Sequence, residues 1–190
     1  MLAKLARKPL TWVALFVLAV GGGLGLYWFQ PWKLFTSKTV NEALPSAAAP
    51  GPTQAPSSPD PDGSGGPVPS QPRNVLLASG RFITHEHQTT GSVQLIRLAD
   101  GRVQLALADL ATSDGPDLRV WLTDQPVLDG RDGWHVFDDG RYVEVGRLKA
   151  NQGNQVYDVP AGTELTGLTS VTIWCKRFSV SFGAAELQAA

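Results

Sequence analysis

Cys175 and two histidines have side chains that could bind a metal or undergo oxidation and reduction. Cys175 is the single cysteine of the 190 residues, and there are three histidines. Two imidazoles and a thiolate are three of the ligands of a mononuclear copper site, and cysteine or histidine can also be the axial ligand of a haem iron. Cys175, His85 and His87 are therefore candidate ligands of copper or haem, although the sequence requires neither cofactor.

The residues around Cys175 allow two interpretations of its thiol. Cys175 alternates with Val171 and Ile173, which places it on the apolar face of a predicted strand, where a cysteine is usually an inert core residue. A reactive thiol instead needs a lowered pKa and access to solvent. The positive charges of Lys176 and Arg177 would favour the thiolate, so a redox thiol stays open as the functional interpretation.

Composition excludes several other kinds of site and partner. A single cysteine rules out an internal disulfide framework, an all-cysteine zinc site and the two-thiol attachment of a c-type haem. The chain has 16 Lys and Arg against 17 Asp and Glu, a net charge of −1, so nucleic acid is not an expected partner. Clustered aspartates such as Asp114 and Asp117 lack the spacing of a calcium-binding loop and are expected to form turns.

The first part of the chain predicts a membrane helix. Residues 10–30 carry no charge, and about 20 apolar residues span a hydrocarbon core of ~30 Å. Three basic residues precede the run, which favours a cytoplasmic N-terminus and an extracytoplasmic C-terminal domain. A cleaved signal peptide is the alternative, but bulky residues occupy 27–29, where a cleavage site would have small ones. A single-pass protein of the cell membrane is therefore expected.

Proline marks a linker after the apolar run. Nine of the 14 prolines lie between Pro45 and Pro72, and such a segment buries too little apolar surface to offset the entropy of ordering. It predicts a disordered, extended spacer that holds the next domain away from the membrane. The predicted organisation is a basic cytoplasmic N-terminus at 1–9, a transmembrane helix at 10–30, an extracytoplasmic linker at 31–72 and a folded domain at 73–190.

Residues 73–190 predict an all-β domain. Apolar and polar residues alternate over 118–123 and 170–175, and turn signals such as Asp100-Gly101 and Gly115-Pro116 separate these runs. No long helical pattern occurs in this part. Many short strands at regular spacing predict an antiparallel β-sandwich or barrel.

Three long motifs of this domain resemble the electron-transfer DM-thirteen domain family. They are TSDGPDLRVWL at 112–122, YVEVGRLKANQGNQVYDVPAG at 142–162 and SVTIWCKRFSVSFGAAEL at 170–187. Gly80, Phe82 and the region of His85 are similar to the opening strand of the family. The resemblance extends over about residues 75–188 and leaves out the anchor and the linker.

The resemblance implies an extracytoplasmic β-domain that serves electron transfer or the oxidative modification of surface proteins. The characteristic cysteine of the family, proposed to act as a bare thiol or as a ligand of a prosthetic group such as haem, corresponds to Cys175. Animal members accompany cytochrome-like DOMON domains, and this sequence shows none. The electron donor or acceptor is therefore expected to be a separate molecule, such as a redox or surface protein.

Two functions of different classes follow from the sequence. The first is a membrane-tethered electron-transfer or redox domain centred on Cys175, rather than a turnover enzyme. The alternative is a non-catalytic extracellular binding or adhesion module, in which Cys175 packs the core and Trp121, Trp134 and Trp174 are exposed contacts. Solvent access to the Cys175 thiol distinguishes the two.

Overall fold

The computed structural model describes residues 9–46 and 73–190. Helix α1 spans Pro9–Phe29 and is followed by a short 3₁₀ helix, Pro31–Phe35. In the described part of the chain, α1 is the one helix long and apolar enough to cross a membrane. None of its residues is buried, so the domain core does not cover its apolar surface. Most of the predicted cytoplasmic N-terminus, residues 1–8, lies outside the described residues.

The rest of the described chain consists mainly of strands. They are β1 Thr39–Asn41, β2 Val75–Thr84, β3 Thr90–Arg97, β4 Val103–Ala111, β5 Leu118–Thr123, β6 Tyr142–Arg147, β7 Gln152–Asp158, β8 Ser170–Cys175, β9 Val180–Glu186 and β10 Gln188–Ala189. The connection between β5 and β6 is long and contains a 3₁₀ helix, Gly130–Gly133.

The strands form one curled sheet with the order β1-β7-β4-β3-β2-β9-β8-β5-β6, and β10 pairs with β2. Strand β2 joins the two halves, because its first part pairs with β3 and its last residues, Phe82–Thr84, pair with β9. The ends of the sheet approach each other: the backbone N–H of Lys149, just after β6, donates to the Tyr157 hydroxyl of β7 at 3.0 Å. The mostly β prediction is confirmed. The sheet is mixed rather than purely antiparallel, because β1 runs parallel to β7.

Two apolar clusters lie on opposite faces of the second half of the sheet. The main core fills the inside of the curl with alternating side chains from both halves, among them Val93, Leu95, Leu105, Leu107, Val120, Leu122, Val171, Ile173, Cys175 and Phe182. A smaller cluster on the outer face contains Trp121, Phe137, Trp174 and Ala184. The long β5–β6 connection supplies Phe137, so this connection covers the outer face.

The beginning of the predicted linker belongs to the sheet. Residues 39–41 form β1 and pair with Gln152–Asn154 of β7. Just after β1, the Glu42 carboxylate forms an ion pair with Lys149 at 2.7 Å and accepts a hydrogen bond from the Val156 backbone N–H, also at 2.7 Å. The chain therefore reaches the sheet directly after α1, before the proline-rich stretch begins.

The two ends of the proline-rich stretch lie next to each other. The Asn74 side-chain amide donates to the backbone carbonyl of Ser46 at 3.0 Å. The stretch between them, residues 47–72, lies outside the described residues. Because β1 pairs with β7, the chain joins the sheet before this stretch begins, and the role of residues 47–72 as a spacer stays a prediction.

Candidate functional site

Cys175 is the last residue of β8, and its side chain lies in the main core. It pairs with Leu118 of β5 and Val180 of β9. Its exposed fraction is 0%, and Val171 and Ile173 share the same core. The strand parity expected for Cys175 is therefore correct, and solvent does not reach the thiol in this conformation.

Burial raises the pKa of the Cys175 thiol above its ordinary value. Backbone N–H groups of the following turn oppose this rise, and the Glu86 carboxylate adds to it. The two cations expected to favour the thiolate have other partners: Lys176 Nζ lies 3.8 Å from Glu144 Oε2, and Arg177 Nη1 donates to the Trp28 carbonyl at 2.7 Å. At neutral pH the thiol is therefore in its neutral form.

A tight turn connects Cys175 to β9. The Phe178 backbone N–H donates to the Cys175 carbonyl at 3.2 Å, and the Lys176 backbone N–H donates to the Asp117 carbonyl at 2.9 Å. Ser179 has a φ of 49°, in the left-handed region that side chains other than glycine adopt only at an energetic cost. The turn therefore contains one residue with a strained backbone.

The same turn contacts the end of α1. Arg177 Nη1 donates to the backbone carbonyls of Tyr27 at 3.3 Å and Trp28 at 2.7 Å, and the Phe178 ring stacks on Phe29 with ring centres 5.8 Å apart. The last carbonyls of a helix have no hydrogen-bond partner within the helix and carry partial negative charge. An arginine at this end donates hydrogen bonds to these carbonyls and also balances their charge. The turn that follows Cys175 therefore also binds the apolar helix α1.

His85 is buried on the outer face of the sheet. Its Nε2 lies 3.0 Å from the Leu128 carbonyl and its Nδ1 2.8 Å from the Ser181 hydroxyl. A carbonyl can only accept, so Nε2 donates and Nδ1 accepts from Ser181. Both ring nitrogens are engaged, which leaves no lone pair for a metal. Burial also lowers the pKa of His85, so the ring is neutral.

His87 faces the other side of the sheet. Its ring packs on Phe182, a residue of the main core, with ring centres 4.0 Å apart. A continuous strand would point His85 and His87 the same way, but residues 85–87 form a bend after β2, so the two rings lie on opposite sides of the sheet. His135 is exposed, with Nδ1 2.6 Å from the Ser179 carbonyl.

The residues present do not fit copper or haem. Within residues 9–46 and 73–190, no group of three or more His, Cys, Asp or Glu side chains could hold a metal ion. Core side chains enclose the Cys175 thiol, and His85 has no free nitrogen. The ligand set expected for a copper site is not assembled, and an axial haem ligand would have to face open space.

The tryptophans expected to be exposed contacts are mainly buried. Trp121 and Trp174 have exposed fractions of 2% and 1%, because the β5–β6 connection covers their face of the sheet. The Trp121 ring stacks on Tyr142 at 3.9 Å between ring centres and on Trp174 at 5.1 Å. Trp134 is half-buried against the main core. Period-two alternation alone could not reveal this arrangement, since it does not show what covers the second face of a strand.

Comparison with known families gives the class of the protein. The family described as Electron transfer DM13 matches residues 81–187, which is more than half of the chain and includes the sheet from the end of β2 through β9. The chain therefore belongs to this family, and the resemblance seen in the sequence is confirmed. No curated protein and no solved structure matches the chain.

Proposed function

We propose that the protein is a membrane-tethered, extracytoplasmic electron-transfer domain with Cys175 as its redox residue. The observation that supports this most directly is the Electron transfer DM13 match over residues 81–187, which contains Cys175 and its turn. The family description states electron transfer. We infer that the Cys175 thiol carries this role.

The tether is inferred from α1. The helix has 21 residues and no charge, and about 20 such residues span a bilayer. Basic residues before α1 favour an N-terminus on the cytoplasmic side and the sheet outside the cytoplasm. The contact between the turn after β8 and the end of α1 supports a position of the domain at the membrane surface, with the Cys175 end of β8 towards the membrane.

A thiol that is buried, as Cys175 is, suits a protein in an oxidising compartment. Outside the cytoplasm an exposed, unpaired thiol would be open to oxidation, and reaction needs the thiolate. Burial and a raised pKa keep Cys175 unreactive until the turn moves. Opening of the turn at 176–179 would expose the sulfur to a redox partner, which in this arrangement is a separate molecule close to the membrane.

The burial of Cys175 favours one second candidate function. If the turn never opens, the thiol is core packing, and the domain is a binding or adhesion module displayed at the cell surface. The two candidates make opposite predictions for the chemistry of the sulfur.

The test equilibrates the full chain, in detergent or nanodiscs, with glutathione redox buffers and then measures its mass. In the expected reaction the Cys175 thiolate attacks oxidised glutathione, forming a mixed disulfide and releasing one reduced glutathione. Val180→Ala, which disturbs the same core but keeps the thiol, is the matched control. A mixed disulfide that forms in the wild type and in Val180→Ala supports the redox role, whereas a thiol that stays reduced at every buffer ratio supports the binding module.

A further inference from the structure

Three oxidisable rings form a continuous stack from the surface into the sheet. Tyr142 is 43% exposed, whereas Trp121 and Trp174 are buried. The Tyr142 and Trp121 rings are nearly parallel, at 10°, with centres 3.9 Å apart, and Trp121 and Trp174 are at 26° and 5.1 Å. Each ring therefore contacts the next, and only the first meets solvent.

The register of the sheet produces this stack. Trp121 of β5 pairs with Glu144 of β6 and Thr172 of β8, so its ring reaches the diagonal positions of Tyr142 and Trp174, a distance that aromatic side chains span. Tyr142 pairs with Thr123 at one end of β5, and Trp174 pairs with Arg119 four residues away. The backbone positions of the two end residues thus lie about 13 Å apart along the strands, and the rings bridge them with spacings of 3.9 and 5.1 Å between centres. The stack runs towards the end of β8 that carries Cys175.

The β5–β6 connection keeps the inner part of the stack dry. Phe137 from this connection is fully buried and packs its edge on Trp174, with ring centres 6.3 Å apart. A buried ring has no water to take up a proton. The chain provides an acceptor at the middle position, where Trp121 Nε1–H donates to Glu144 Oε2 at 3.3 Å.

The Glu144 carboxylate is held in place by a cation. Arg119 Nη1 donates to Glu144 Oε1 at 2.6 Å, and Arg119 also pairs with Asp117 at 2.8 Å. An ionised carboxylate on an indole N–H can accept the proton when the indole is oxidised, and it returns the proton on reduction. A phenylalanine or leucine at position 121 would supply neither the redox step nor the N–H.

We propose that Tyr142, Trp121 and Trp174 form a one-electron path between a partner at the surface and the covered outer face of β8 at Trp174, the residue before Cys175. The proposal rests on the electron-transfer function proposed above and adds the route. Indole and phenol rings are the most readily oxidised side chains apart from those with sulfur, and electrons pass readily between rings in contact.

Electrons and protons balance at each step of the path. A one-electron oxidant at the surface takes one electron from Tyr142, and the phenol proton passes to water. Trp121 then reduces the tyrosyl radical, which recovers a proton from water, and the Trp121 N–H proton moves to Glu144. Trp174 reduces the Trp121 radical, and Glu144 returns the proton. The path ends with an intact Tyr142 and Trp121, a Trp174 cation radical and one reduced oxidant, and a one-electron reductant restores Trp174.

The test places a photo-oxidant three residues before Tyr142 in the full chain. Asp139 is exposed, so a ruthenium polypyridyl label on Asp139→Cys, in a Cys175→Ala background, provides a one-electron oxidant at the outer end of the path. A laser flash with a soluble electron acceptor creates the oxidant, and transient absorption measures the tryptophan radical. Trp174→Phe identifies the part of the signal that belongs to Trp174.

We expect Trp121→Phe to lower the Trp174 radical yield at least tenfold, and Tyr142→Phe to lower it several-fold. Trp134→Phe, a control outside the stack, should leave the yield unchanged. A Trp174 radical of equal yield in the parent, Trp121→Phe and Tyr142→Phe, or its absence from the parent, would overturn the proposal. Tyr142→Phe keeps an exposed ring, so it decides the question even if a core variant unfolds. The Cys175→Ala background separates this outcome from the redox role of the thiol.

Discussion

Arg177 joins the turn that covers the thiol to the end of the apolar helix, by donating to the Trp28 carbonyl across 2.7 Å. The bond satisfies a helix carbonyl that has no partner within α1, and the same guanidinium lies 5.5 Å from the centre of the Trp28 ring. Arg177 is two residues after Cys175, so in the proposed opening of the turn the helix contact and access to the sulfur would change together.

Arg177→Ala should make the Cys175 thiol more reactive. An exposed interaction with helix carbonyls stabilises the closed turn by roughly 0.5–1 kcal/mol, so its loss should raise the open population about two- to fivefold. The measurement is the rate of alkylation of the native full chain by a small maleimide. Arg97→Ala, an exposed arginine of β3, is the control. Equal rates in the wild type and Arg177→Ala would show that the helix contact does not hold the turn.

His85 should make the fold sensitive to acid. Its pKa is lowered in the folded protein, so the folded state disfavours the charged ring. The stabilisation is complete above the unfolded pKa of about 6.5 and decreases as the pH falls through that value towards the lower folded pKa. The free energy of unfolding, measured in denaturant between pH 8 and pH 5, should fall more steeply for the wild type than for His85→Gln. Equal slopes in the wild type and His85→Gln would contradict this account.

Replacement of residues 47–72 by a short Gly-Ser loop should leave the domain folded. The flanking Ser46 and Asn74 are joined by a hydrogen bond of 3.0 Å, so a short loop can close the gap. Reduction of the loop from 26 residues to about six should stabilise the fold by about 1 kcal/mol through the lower entropy of loop closure. Thermal unfolding of both proteins measures this. Loss of the cooperative transition in the short-loop protein would show that the stretch itself is needed for folding.

The full chain should give no cofactor band that depends on Cys175. The buried sulfur faces core side chains and both His85 nitrogens are engaged, so neither Cu²⁺ nor haem finds a ligand set. The visible spectrum is recorded after addition of each to the wild type and to Cys175→Ala. A thiolate-to-copper or Soret band present in the wild type and lost in Cys175→Ala would refute the geometry described for the thiol.

Local patterns in the sequence predicted the parts of the fold that depend on one face of a strand. The alternation of Val171, Ile173 and Cys175 correctly placed the thiol in the core, and the charge-free run predicted α1. The family motifs around Cys175 indicated the electron-transfer class, which the family match confirms.

Features that depend on long-range pairing were not predictable in this way. Strand β1 has only three residues, and its place on the sheet depends on backbone pairing with Gln152–Asn154, which no apolar pattern marks. The bend at 85–87 separates His85 from His87 although their spacing suits one face of a strand. Trp121 is buried because a distant connection folds over it, so its exposure could not be judged from β5 alone.

The central claim is that Cys175 is the redox residue of an electron-transfer domain. It is tested most directly by measuring electron exchange between an electrode and the full chain in a lipid film. Cyclic voltammetry compares the wild type and the packing control Val180→Ala, which keep the thiol, with Cys175→Ala, which lacks it. Near-ultraviolet circular dichroism confirms that each protein is folded. The redox role predicts a component of the response, present in the wild type and in Val180→Ala, that disappears in Cys175→Ala. A response of equal size in all three folded proteins, or none in the wild type, would contradict it.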